Sequence, residues 1–123
     1  MANPNRVIGR AIIKIDGQII PTGKGNTTLE PGGPMREGVE GDYVAGSFRT
    51  SQKESKLSFA ALTNAAFSAA AIGAIEDATI SVEFDAGRSY VIRHAWAEGA
   101  PPMKTDGTAD CVFYGPPAEE VRL

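Results

Sequence analysis

A single histidine, a single cysteine and two close carboxylate pairs are what this chain offers toward catalysis. His94 falls on the apolar side of an alternating run, Arg88–Trp96, with no cysteine or second histidine at the spacing a metal site needs. It therefore reads as a partly buried, hydrogen-bonded residue. Cys111 sits in the apolar run Cys111-Val112-Phe113-Tyr114 and reads as a small core side chain; alone, it allows no intrachain disulfide. Glu37 with Glu40, and Glu83 with Asp85, have the types for paired acid–base work, but neighbours this close on a loop or strand are solvated surface and imply no enclosed pocket. Gly23-Lys24-Gly25 does not join a strand to a helix, the context a phosphate-binding loop requires. The expectation is a protein that is not an enzyme, with no catalytic residue, metal site or cofactor.

The elements that would position these side chains are strands. Ala78–Asp85 and Arg88–Trp96 alternate apolar and polar residues with period two, the pattern of a strand buried on one face and wet on the other. A three-residue loop, Asp85-Ala86-Gly87, sets Val82 opposite Tyr90 and Ile80 opposite Ile92, and puts Gly87 where a G1 bulge needs a left-handed residue. A one-residue slip would turn the apolar set outward. The expected core is Ile13, Ile15, Phe59, Ile80, Val82, Phe84, Tyr90, Ile92 and Trp96. The polar faces leave Thr79, Ser81, Glu83, Asp85 and Ser89 as one wet stripe. Arg93 falls opposite Thr79 and is expected either to pair with an acid or to lie away from the stripe.

Upstream, Gly9–Ile15, the turn Asp16-Gly17 and Gln18–Pro21 read as a hairpin. Ile13 and Ile15 point one way, Ile12 and Lys14 the other, which predicts partial cover on the second face. Asn26–Glu30 reads as a short third strand, Ser47–Leu62 contains strand pieces, clearest at Lys56–Phe59, and Asp110–Tyr114 is the last, broken by Pro116-Pro117 ahead of a tail, Glu119–Leu123. Thr63 or Asn64 caps a helix running to Ile75, with Phe67, Ala71 and Ile75 as its apolar stripe. Residues 1–7 read as a loose arm. Residues 31–46 carry glycine and proline at a density that predicts a long irregular loop; its Met35, Arg36, Glu37, Val39 and Tyr43 suit contact with a partner. The chain of 123 residues reads as one mainly β domain, an antiparallel sandwich or half-barrel with one flanking helix. Its net charge of −3 argues against a general nucleic-acid binder. No signal-peptide or membrane-spanning run stands out, which predicts a protein made and kept in a cytosol unless a specialised machine exports it.

Three segments resemble the Mu-type, contractile phage tail tube proteins: Gly9–Gly17, Arg36-Glu37-Gly38-Val39, and Asp77–Phe84 followed by Tyr90–Trp96. The resemblance implies a tube-type β fold similar to that of the type VI secretion tube. It also implies hexameric rings that stack into a hollow tube, through which DNA passes without specific binding. Tail sheath, tape-measure and baseplate proteins are the implied partners, no membrane is involved, and the implied location is the virion, with assembly in the host cytoplasm. On this reading Thr79, Ser81, Glu83, Asp85 and Ser89 are candidates for the lumen, and Met35, Arg36, Glu37, Val39 and Tyr43 for the loop that stacks rings. The rival readings are a type VI or phage-tail-like injection tube and a monomeric β-sandwich binding module.

Overall fold

The structure, a computed structural model, describes residues 3–23, 27–65 and 67–122. Met1 and Ala2 of the expected arm, Lys24 and Gly25 of the glycine-rich turn, Asn26 of the expected third strand, Ala66 of the expected helix and Leu123 of the tail lie outside the described residues.

β1 (Ala11–Ile15) turns at Asp16-Gly17 into β2 (Gln18–Ile20). Both turn residues have positive φ, 50° and 85°, as a type I′ turn requires. β1 pairs on its other side with β7 (Ala78–Phe84), and β7 pairs with β8 (Arg88–Ala97) through the three-residue loop 85–87 with Gly87 at φ 92°. Val82 faces Tyr90 and Ile80 faces Ile92, the register the apolar pattern dictates. β6 (Ser55–Leu62) pairs with β3 (Thr28–Glu30) and with β9 (Thr108–Gly115). The tail is itself a strand: β10 (Glu119–Arg122) pairs with the first half of β8. One antiparallel sheet results, in the order β2-β1-β7-β8-β9-β6-β3, with β10 beside β8.

β8 is the corner of the molecule. Its first half pairs with β7 and β10, and its second half pairs with β9 through Trp96 and Ala97. Between them the pairing slips: Ile80 faces Ile92, but Ala78 faces Ala95, so Thr79 stands against two residues, Arg93 and His94. This is a β-bulge, the device by which a strand leaves one sheet layer for another. His94 adopts φ 55° to make it. The two layers close on one core: Ile13, Ile80, Val82 and Ile92 from one side, Leu57, Phe59, Cys111 and Phe113 from the other. The Phe59 and Phe113 rings stack with centroids 5.9 Å apart.

The bulge corrects the expected core. One extra residue inverts the alternation beyond it, so Ala95 is buried while His94 and Trp96 point outward, Trp96 with 44% exposure. Phe84 and Tyr90 are only partly buried, meeting edge to face at 6.0 Å on the rim. The helix is also shorter than its alanine content predicts. α1 spans Ala69–Gly73, capped by Ser68, whose Oγ accepts from the Ala71 N–H at 3.3 Å. Ile72, rather than the expected stripe, enters the core, with Phe67 and Ile75 packed beside it. Helical propensity cannot hold so short a segment alone. Its position depends on Ile72 and on Gly73, where a Cβ would meet the Ala100 backbone at 2.7 Å.

The expected loop 31–46 is for the most part a strand. β4 (Gly33–Val39) pairs along its whole length with β5 (Ser47–Lys53), leaving only 40–46 as the connecting loop. Proline and glycine here do not break pairing, because each strand of a two-stranded ribbon has a free edge and tolerates a missing N–H.

Candidate assembly surfaces

Two surfaces carry the side chains singled out above. The first is the β4–β5 hairpin. Seven residues per strand give it a reach of about 24 Å. Every residue of both strands except Gly33 is exposed, and neither strand packs along another element. The register sorts its side chains. Met35, Glu37 and Val39 share a face with Ser47, Arg49 and Ser51; Pro34 and Arg36 share the other with Phe48, Thr50 and Gln52. Glu37 accepts from Arg49 Nε at 3.1 Å, and the Arg36 guanidinium lies 5.9 Å from the Phe48 ring centroid. Tyr43, at the tip, is 99% exposed. Phe48 belongs with these candidates and was missed: its strand showed no clean apolar alternation, because neither of its faces is buried.

The hairpin's root is held firmly. Gly32 and Gly33 have φ 75° and 102°, and a Cβ on Gly32 would come within 2.6 Å of the Glu54 carbonyl oxygen. The Ala118 N–H donates to the Pro31 carbonyl at 2.8 Å. Ser55, fully buried, donates its hydroxyl toward the Pro116 carbonyl at 2.8 Å. The root therefore shares hydrogen bonds with the link that delivers β10.

The second surface is the outer face of β2, β1, β7, β8 and β10. Register places Ile19, Lys14, Ser81, Val91 and Glu119 in one row across five strands. Ile12, Glu83, Ser89 and Val121 form the next. Thr79, Ser81 and Glu83 do share this face. Asp85 sits in the turn at its end. Ser89 is a correction: flanked by Glu83 and Val121, it is only 5% exposed, with its hydroxyl unpartnered.

The charges here are paired. Lys14 Nζ lies 3.5 Å from Glu83, and Arg93 Nε lies 3.3 Å from Glu119. Asp85 holds the arm: it accepts from the Gly9 N–H at 3.0 Å and meets Arg6 at 3.4 Å and Arg10 at 3.5 Å. The Gly9 N–H first, then the Arg10 N–H and the Arg6 side chain, hold the Asp85 carboxyl down at about 2. Glu83 and Asp85 are thus engaged by separate cations.

The remaining groups do no shared chemistry. His94, exposed rather than partly buried, sits 2.8 Å from Asp77. Cys111 is buried in the core, which pushes its thiol up to about 11. Among the described residues, no three His, Cys, Asp or Glu side chains gather as a metal site. No helix among them is long and apolar enough to cross a membrane.

The sequence profile of the phage tail tube protein family matches residues 4–120. The Mu-like prophage FluMu tail tube protein of Haemophilus influenzae is 31% identical over 99 residues, covering 80% of this chain and 82% of that protein. The fold is similar to the tube-terminating cap of the anti-feeding prophage, with TM-score 0.64 and 11% identity over 100% of this chain and 96% of that one. It is equally similar to the sheath/tube terminator of an extracellular contractile injection system, with TM-score 0.65 and 10% identity over 98% of this chain and 99% of that one. A chain of the sheath–tube complex of such a system gives TM-score 0.63 at 9% identity, over 95% of this chain and 91% of that one.

Proposed function

We propose that this chain, which belongs to the phage tail tube protein family, is the repeating subunit of a contractile phage tail, closing into hexameric rings that stack into a hollow, DNA-passing tube. The observation that carries this reading is the β4–β5 hairpin. A two-stranded ribbon with both faces wet is marginal in water on its own. One that projects about 24 Å with Met35, Val39, Tyr43 and Phe48 exposed has the form of an arm that becomes covered on assembly.

The ring itself needs a head-to-tail contact that closes. β2 and β3 at the two ends of the sheet, and β10 beside β8, each pair on one side only, so each offers unpaired backbone groups to a neighbour. The outer face of β1, β7 and β8 is then the natural wall of the lumen. A wall for passing DNA must not gather phosphates, since each base that neutralises one adds to the affinity. Thr79 and Ser81 are neutral, and Lys14 and Arg93 already have acids beside them. In this arrangement sheath protein meets the outside of the tube, tape-measure protein fills the lumen before DNA, and baseplate protein starts the stack. The tube lies in the virion and is assembled in the host cytoplasm.

A tube of a phage-tail-like injection system is the second reading; the likeness of the fold to caps and terminators of such systems favours it. Charge reversal tests the lumen assignment. Glu83→Lys with Asp85→Lys should still give tubes, but tubes that bind polyanions inside and release DNA slowly. Unchanged DNA release with altered sheath attachment would place the stripe outside and contradict the lumen assignment.

A further inference from the structure

The opposite face of the molecule carries a second, partly exposed cluster that neither the core nor the proposed lumen uses. Trp96 on β8, Tyr114 on β9, Lys56 on β6 and Glu30 on β3 stand in one row across four strands. The Trp96 and Tyr114 rings stack with centroids 5.1 Å apart at 28°, and Lys56 Nζ lies 5.9 Å from the Tyr114 centroid. Glu98, two residues beyond Trp96 on the same side, adds a second acid. The bulge at His94 is what turns Trp96 outward. A stacked pair of large rings at the surface, ringed by charge, is the composition of an interface anchor.

We infer that this platform is the docking site for the β4–β5 hairpin of a second copy of the chain. The inference rests on the tube reading and names the surface the hairpin covers. Charge and shape select the occupant. The platform's charged rim is net acidic, Glu30 and Glu98 against Lys56. The hairpin face formed by Pro34, Arg36, Phe48, Thr50 and Gln52 carries one charge, the Arg36 cation. A planar guanidinium already lying against an aromatic ring extends onto a stacked Trp–Tyr pair by the same cation–π and stacking contacts. Within one copy the hairpin does not lie on the platform. It leaves the body at Gly32-Gly33 and Glu54, where Gly32 is closed in by the Glu54 backbone, and neither of its strands packs along another element. The contact is therefore between copies and head to tail, the kind that propagates.

Trp96 is the only tryptophan in the chain, so it reports directly on the contact. In wild-type assemblies its emission should shift to the blue and its quenching by acrylamide should fall severalfold relative to dilute subunits. Assemblies of the Arg36→Ala, Phe48→Ala double variant should keep Trp96 as open as in the dilute protein. The decisive arm mixes that double variant, which retains Trp96, with Trp96→Phe subunits, which retain the hairpin. Protection of Trp96 in the mixture requires a hairpin from another copy. Assemblies in which Trp96 stays fully quenchable, or in which the double variant protects it as well as wild type does, overturn this inference and leave the tube reading standing. Wild-type protein that forms no assembly at any concentration overturns the tube reading and this inference with it.

Discussion

His94 shows how one residue redirects a strand. Its positive φ costs a β-branched residue about 1–2 kcal/mol, and the bulge it makes sends Ala95 inward and Trp96 outward. His94→Val should therefore lower stability by about that amount, whereas His94→Gly should hold it, as read by urea unfolding followed at Trp96. Loss of the same size in both would mean that the Asp77 contact, not the backbone, sets the bulge. Before the bulge, the pairing of Ile80 with Ile92 and Val82 with Tyr90 was legible from alternation alone. Past it the same rule fails, because period-two reading cannot see an inserted residue, and Trp96 was lost from the expected core. Phe113, in the stacked pair with Phe59, is a true core ring: Phe113→Ala should cost about 3–5 kcal/mol, and Phe84→Ala, on the rim, clearly less. Asp85 gives the residue scale its pH dependence. Its carboxyl is held below the usual carboxylate range, so its hold on the arm is complete above about pH 4 and is lost as pH falls through about 2. Hydrogen exchange at the Gly9 amide should quicken over that interval, and Asp85→Asn should show the quick rate at every pH.

At the scale of elements, the hairpin, the short helix and the tail strand are where local pattern and structure part, and the first two have the same cause. Local composition was read without the tertiary context that decides it. Seven residues of β4 pair with β5 although they include Pro34 and Gly38, because a free-edged ribbon forgives both. The alanines of 65–71 favour helix, yet only five residues of helix form, positioned by Ile72 in the core and by Gly73 against Ala100. The tail reads as irregular because a four-residue strand at an edge carries too little pattern to stand out. What was legible were the hairpins whose turns have fixed chemistry, Asp16-Gly17 and Asp85-Ala86-Gly87. Removing residues 34–52 and joining Gly33 to Lys53 should leave the body folded, since none of the deleted residues enters the core. The same deletion should abolish ring stacking, as read by sedimentation. Long tubes from the deleted protein would show that the hairpin does not join rings.

For the whole molecule, the family assignment rests on a match across residues 4–120 and on a 31% identical tail tube protein, while the way copies pack is the claim the geometry adds. One sheet with open edges at β2, β3 and β10, one wet face of paired charges and one projecting hairpin fits a subunit that closes sideways and stacks lengthwise. The most direct measurement is electron cryo-microscopy of the purified protein at high concentration, with reconstruction of any filament. Hollow filaments of six-membered rings are expected, with Thr79, Ser81 and Glu83 facing the lumen and each hairpin buried against another copy. Filaments whose lumen is lined by Trp96 and Tyr114 instead, or a protein that stays monomeric under every condition, would contradict that packing.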